Sequence, residues 1–134
     1  MTLQYSVAIQ NAQLDVVESQ IGVSALLRFY TGAQPANCAA AATGIKLAEL
    51  PLPADWMNAA AAGVKTLKGS WTVAAIAAGT AGYFRLYDTT GTTCGAQGSV
   101  TATGGDGDIT MNSNVLSIGQ TVTEITFTLT TGNP

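Results

Sequence analysis

Apolar residues recur at three- and four-residue steps between Ser6 and Ile21, and at two-residue steps along most of the chain after Gly22. The first pattern predicts one amphipathic helix over Ser6–Ile21. Ile9, Ala12 and Val16 form one apolar stripe and Leu14, Val17 and Ile21 another, with Asp15 and Glu18 on the opposite face. Ser6 suits an N-cap and Gly22 a helix stop. The second pattern predicts short strands at Ala25–Tyr30, Ile45–Leu50, Val64–Leu67, Trp71–Ile76, Tyr83–Tyr87, Gln97–Ala102, Ile109–Asn112, Val115–Ile118 and Thr123–Thr130. In the last of these Ile125, Phe127 and Leu129 point one way, and Glu124, Thr126, Thr128 and Thr130 the other. Val122 falls out of phase, which predicts a bulge or a strand start nearby.

Two alanine runs interrupt the strands. Asn37 leads into Ala39–Ala42 and Gly44, and Asp55 leads into Trp56–Ala62 and Gly63. An Asx residue before and a glycine after predict two short helices, which must lie on the sheet to persist. Many short strands at this spacing predict an all-β fold, a sandwich or a barrel. The expected organisation is one domain: an N-terminal arm and helix over 1–22, then a β-sandwich over 23–134.

One internal echo stands out. Leu26-Leu27-Arg28-Phe29-Tyr30 resembles Tyr83-Phe84-Arg85-Leu86-Tyr87. Strand alternation sends Leu27, Phe29, Phe84 and Leu86 into the core and puts Arg28, Tyr30, Tyr83, Arg85 and Tyr87 on a shared outer face. Each segment runs on through a glycine-containing turn to a cysteine, Cys38 or Cys94. If the two strands are neighbours, a bridge between the cysteines is geometrically open. Reduced thiols are the expectation for a protein kept in the cytoplasm.

Composition narrows the chemistry. The chain has no histidine, and only 10% of its 134 residues are charged, against about one in four in an ordinary domain. Histidine is the first resource for acid–base work at neutral pH and for zinc and copper sites. Five Lys and Arg residues and a net charge of −3 do not make the basic stripe that nucleic acid requires. So few charges imply a surface partly covered by partners. The opening residues lack the positive and apolar regions of a signal peptide, and no run approaches the ~18 apolar residues of a membrane span.

The remaining candidates have modest readings. Asp106-Gly107-Asp108 predicts a hairpin turn rather than a calcium loop. Glu49, Asp55 and Asp88 show no spacing that singles out a catalytic carboxylate pair. Lys46, Lys65 and Lys68 lack a Ser-x-x-Lys box and are expected at the surface. Trp71 is expected in the core. Trp56, beside prolines, is expected at an interface, where Trp, Tyr and Arg are enriched. No catalytic residue, cofactor or metal ligand is expected.

Several stretches taken together resemble a known family. They are Arg28-Phe29-Tyr30-Thr31-Gly32-Ala33-Gln34-Pro35, then Gly44-Ile45-Lys46-Leu47-Ala48-Glu49-Leu50-Pro51-Leu52-Pro53, then Gly79 to Asp88, then Asp108-Ile109-Thr110-Met111 with Ile118-Gly119-Gln120. In this order, over roughly Asn11 to Thr130, the chain resembles the capsid cement, or decoration, proteins of tailed bacteriophages. Lys46 and the run Gly105 to Asp108 depart from that pattern. The resemblance implies a jelly-roll β-sandwich, a homodimer on the exterior of a virion shell, and the phage major capsid protein as partner. It implies synthesis in the host cytoplasm and no catalysis, cofactor, nucleic-acid or membrane contact. Arg28, Tyr30, Trp56, Arg85, Tyr87 and the Met1–Gln10 arm are the expected contacts. A phage tail or neck protein and a carbohydrate-binding jelly roll are the competing expectations.

Overall fold

The structure is a computed structural model and describes residues 3–131. Among these residues one helix, α1 (Val7–Ile21), precedes ten strands. Ser6 caps it as its spacing predicts: its backbone is extended and its Oγ accepts from Ile9 N at 3.3 Å. At the other end Gly22 takes φ 102° and donates its N–H to Glu18 O, a conformation that suits glycine.

The strands are β1 (Leu26–Thr31), β2 (Lys46–Pro51), β3 (Val64–Thr66), β4 (Val73–Ala74), β5 (Gly79–Tyr87), β6 (Cys94–Ala102), β7 (Ile109–Met111), β8 (Val115–Leu116), β9 (Thr121–Val122) and β10 (Thr126–Thr130). The main sheet runs β2-β1-β5-β6-β7-β10-β3, with β8 pairing off β5; β4 and β9 form a separate two-stranded ribbon. All pairings are antiparallel except β6–β7. The protein is therefore mostly β-sheet with one N-terminal helix.

The echoed segments are neighbours. β1 pairs with β5 so that Arg28 faces Arg85, Phe29 faces Phe84 and Tyr30 faces Tyr83. Residue 28+k on one strand corresponds to 85+k on the other, which is the relation a local two-fold axis between Arg28 and Arg85 produces. Leu27, Phe29, Phe84 and Leu86 enter the core as expected. Trp71 joins them, its ring centroid 6.3 Å from those of Trp56 and Phe127 and tilted against both.

β10 keeps its predicted alternation, with Ile125 and Phe127 buried and Thr126, Thr128 and Thr130 exposed. The break before it falls at Glu124, which adopts φ 54° and separates β9 from β10.

The two alanine runs are not helices. Asn37 Oδ1 accepts from Ala40 N at 3.0 Å, closing a single turn, and Thr43 is already tied to Tyr83. In the second run the backbone N–H groups are claimed by α1 instead of by carbonyls one turn back. Glu18 Oε2 accepts from Trp56 N and Met57 N at 3.0 and 2.8 Å, and Asp15 Oδ1 from Ala60 N at 3.0 Å. The run ends in a tight reversal with both Ala62 and Gly63 at positive φ, 52° and 72°. Ala61 and Val64 exchange both backbone hydrogen bonds across it, the geometry of a two-residue hairpin turn.

The Asp106-Gly107-Asp108 stretch is not a hairpin either. It returns the chain so that β7 lies parallel to β6, with Val100 beside Ile109 and Ala102 beside Met111. Parallel neighbours usually need a crossover of a dozen or more residues; here 103–108 suffice. Gly107 N donates to Thr101 Oγ1 at 3.0 Å, and Asp108 Oδ2 accepts from Ser99 N and Oγ at 2.9 and 3.0 Å. A Cβ on Gly107 would sit 2.7 Å from Thr101 N, so the close approach excludes any side chain there.

Candidate interaction surface

The Arg–Tyr face predicted for β1 and β5 exists as a face, but it is covered. Tyr30 and Tyr83 stack with centroids 5.1 Å apart and planes within 12°. Arg28 lies 4.5 Å over the Tyr87 ring. Arg85 donates to Gln97 Oε1, Tyr87 Oη and Asn37 O at 3.2, 3.3 and 3.2 Å. Over this layer runs the 32–45 segment, held by Gln97 Nε2 to Pro35 O at 2.7 Å and by the paired bonds of Tyr83 Oη with Thr43. Tyr30, Arg85 and Tyr87 are consequently buried and Arg28 half-buried. Burial, reinforced by the Tyr87 hydroxyl, pushes the Tyr30 phenol up to about 12. These four side chains are therefore internal structure in this fold, not the exposed contacts expected of them.

Trp56 is corrected in the same way. It is fully buried, with its indole N–H donating to Gly22 O at 3.0 Å. Two backbone bonds to Glu18 draw it under the end of α1. Of the expected N-terminal arm, Met1 and Thr2 lie outside the described residues, while Leu3, Tyr5, Val7 and Ile9 are exposed.

The acidic residues of α1 face inward. Lys65, expected at the surface, is 2% exposed, and its ammonium reaches Asp15 at 2.7 Å, Glu18 at 3.2 Å and Asn58 O at 2.9 Å. Burial alone would depress this lysine; the two carboxylates outweigh it and hold its pKa above the ordinary value. Lys65 in turn holds Asp15 below the usual carboxylate range, aided by the Ala60 N–H. Turning Asp15 and Glu18 inward leaves Ile9 and Val16 outside, while Leu14 and Ile21 are buried. An open groove follows this junction, lined by Glu18, Val23, Asp55, Asn58, Lys65 and Lys68. Both of its lysines are paired, since Lys68 bonds Asp55 at 2.6 Å, and its three carboxylates, Asp15, Glu18 and Asp55, leave it with one excess negative charge.

The three carboxylates weighed for catalysis are not brought together as a pair. Glu49 bonds Lys46 at 2.7 Å and Arg28 at 3.1 Å. Asp55 serves Lys68. Asp88 Oδ1 accepts from Thr90, Thr92 and Thr93 and closes the turn after β5. All five basic side chains are thus engaged within the molecule. Among the described residues no group of three or more His, Cys, Asp or Glu is placed to hold a metal ion, and no helix is long and apolar enough to cross a membrane.

What the surface does offer is aliphatic. Ile45, Ile76, Val115 and Ile118 are all more than half exposed. Their backbones are brought to one end of the molecule: Ile76 N bonds Leu47 O, Gly119 N bonds Ala75 O, and Val115 pairs with Thr80 at the start of β5. Sequence alternation gave no hint of this cluster, because its members come from loop edges and strand ends rather than from one periodic run.

Comparison with family models, curated proteins and solved structures returns no match for this chain.

Proposed function

We propose that this chain is a non-catalytic virion structural protein, a capsid cement protein that binds the exterior of a phage head and staples neighbouring major capsid protein subunits. The observation that supports this most is the exposed Ile45, Ile76, Val115 and Ile118 end, set on a scaffold whose cations are all consumed internally. A clustered apolar patch marks a protein–protein contact, and a surface with no free Lys or Arg among the described residues suits a protein partner better than a phosphate backbone. The β-rich body is read as a jelly-roll variant, and the exposed Ile9, Ala12 and Val16 stripe of α1 as a homodimer contact. A dimer gripping two subunits makes its second contact intramolecular, which raises avidity without new contacts.

A glycan-binding role fits less well. Sugar grooves present exposed rings, and among the described residues Tyr5 is the one exposed aromatic.

The test uses purified heads lacking this protein. Added protein should bind them and raise the temperature at which they release DNA. Ile76→Asp with Ile118→Asp should abolish binding while leaving the isolated protein folded. Unchanged binding by the double variant, or heads that survive heating equally with and without the protein, would remove the stapling role.

A further inference from the structure

We propose that Cys38 and Cys94 are a redox-responsive pair that closes into an intramolecular disulfide, clipping the 32–45 segment to the start of β6. This inference is independent of the virion assignment. It starts from the antiparallel β1–β5 pairing, which sends the segments after the two echoed strands off opposite ends of the ladder, so that only a return of one of them over the sheet can bring their cysteines together. The 32–45 segment doubles back over the sheet, where Arg85 Nη2 holds Asn37 O at 3.2 Å and Gln97 Nε2 holds Pro35 O at 2.7 Å. Cys38 is the next residue after Asn37. Cys94 stands opposite Tyr87 in the β5–β6 ladder, at a one-residue slip in register. The Arg85 tie to Asn37 O thus brings Cys38 back to the β5–β6 ladder in which Cys94 stands. Both are free and both are half-buried, so a small reagent has access to them.

Neither thiol has another evident task. Cys94 Sγ makes only a long contact with Ala96 O at 3.5 Å, and the pair lacks the additional ligands of a metal site among the described residues. The 32–45 segment contains no strand or helix before β2. It rests on a few side-chain bonds, so a covalent tie there changes its freedom most.

The oxidant is a small-molecule disulfide such as oxidised glutathione. Cys38, as thiolate, attacks one sulfur of the reagent; a mixed disulfide forms and one small thiolate leaves and takes up a proton. Cys94 then loses its proton to solvent and attacks the Cys38 sulfur, expelling the second small thiolate. Two protein thiols and one external disulfide thus become one protein disulfide and two small thiols. Burial and the neighbouring Cys38 push the Cys94 thiol up to about 12, which leaves little Cys94 thiolate to start the exchange. A reducing compartment keeps the pair open and an oxidising one closes it.

Full-length reduced protein incubated with oxidised glutathione and weighed by intact mass spectrometry tests this. Closure removes two hydrogen atoms, adds no glutathione, abolishes native alkylation of both cysteines and yields a Cys38–Cys94 linked peptide. The Cys94→Ser variant should stop at one glutathione on Cys38. Wild-type protein that carries two glutathiones, forms linked dimers or keeps both thiols alkylatable overturns the proposal.

Discussion

Arg28 and Arg85 stand directly opposite each other on adjacent antiparallel strands, and their guanidinium groups share Tyr87, one at its ring and the other at its hydroxyl, but otherwise turn to different partners. Like charges placed opposite on a sheet repel. Arg28 resolves this by reaching Glu49 and the Tyr87 ring, and Arg85 by reaching Gln97, Tyr87 Oη and the Asn37 carbonyl. Glu49 is the compensating anion for Arg28 and for Lys46.

Replacing Glu49 tests that compensation. Glu49→Ala should destabilise the protein by about 1–2 kcal/mol, more than a single exposed ion pair is worth, because two cations lose their partner at once. Glu49→Gln should fall in between. Urea unfolding monitored by circular dichroism measures both.

Glu18 carries more. Its two oxygens satisfy the backbone N–H groups of Trp56 and Met57 and half of the charge partner of Lys65. Glu18→Ala leaves two backbone donors without their acceptor and the buried ammonium with Asp15 as its one remaining carboxylate, so a loss of about 3 kcal/mol is expected. Lys65→Met in the Glu18→Ala background should recover part of it. A red shift in tryptophan emission should accompany the single change as Trp56 loosens.

The stability–pH profile should fall at both ends. Asp15 and Glu49 have pKa values lowered from the ordinary 3.8 and 4.5, Asp15 chiefly by the Lys65 hydrogen bond and Glu49 chiefly by that of Lys46. A carboxylate whose folded pKa is depressed stabilises the fold above its unfolded pKa and loses that contribution as pH falls through the folded value. Acid destabilisation is therefore expected from about pH 4 downward. Tyr30 has the opposite sense. Its phenol is raised to about 12, so its contribution is intact below pH ~10 and is lost as pH rises from there towards the folded value. Thermal melts across pH, with tyrosinate absorbance at the alkaline end, measure both limbs; a flat acid limb would show that the Asp15 and Glu49 contacts contribute nothing.

Gly107 takes no positive φ, so its requirement is one of space alone. Gly107→Ala brings a methyl to 2.7 Å from Thr101 N and 2.9 Å from Ile109 O. A cost of about 1–3 kcal/mol is expected, and Gly104→Ala, where no atom lies within 4 Å but φ is +94°, separates backbone strain from crowding. Comparing the two denaturation midpoints decides which effect is larger.

What was legible in the sequence follows from local physics. The α1 boundaries rest on Ser6 and Gly22, whose capping roles depend only on adjacent backbone. The β10 alternation and the β1–β5 echo are short-range patterns, and their inward residues, such as Phe29 and Phe84, are buried. What was not legible depends on partners distant in the chain. The 56–62 alanine run carries a local helix signal that Asp15 and Glu18 override by taking its N–H groups. The same two carboxylates make a buried Lys65 tolerable, which no neighbour in sequence announces. Trp56 and the Arg–Tyr layer carry the composition of an interface, yet the 32–45 segment and α1 cover them.

The parallel return between β6 and β7 has a consequence for how the chain can change. Val100 and Ile109 sit side by side nine positions apart, so the connecting stretch acts as a gauge of fixed length. One inserted residue there would shift the parity of everything that follows, turning Ile109 and Met111 outward and Thr110 into the core. The 32–45 segment has no such arithmetic to satisfy. Length variation in this architecture is thus confined to one side of the sheet and forbidden on the other.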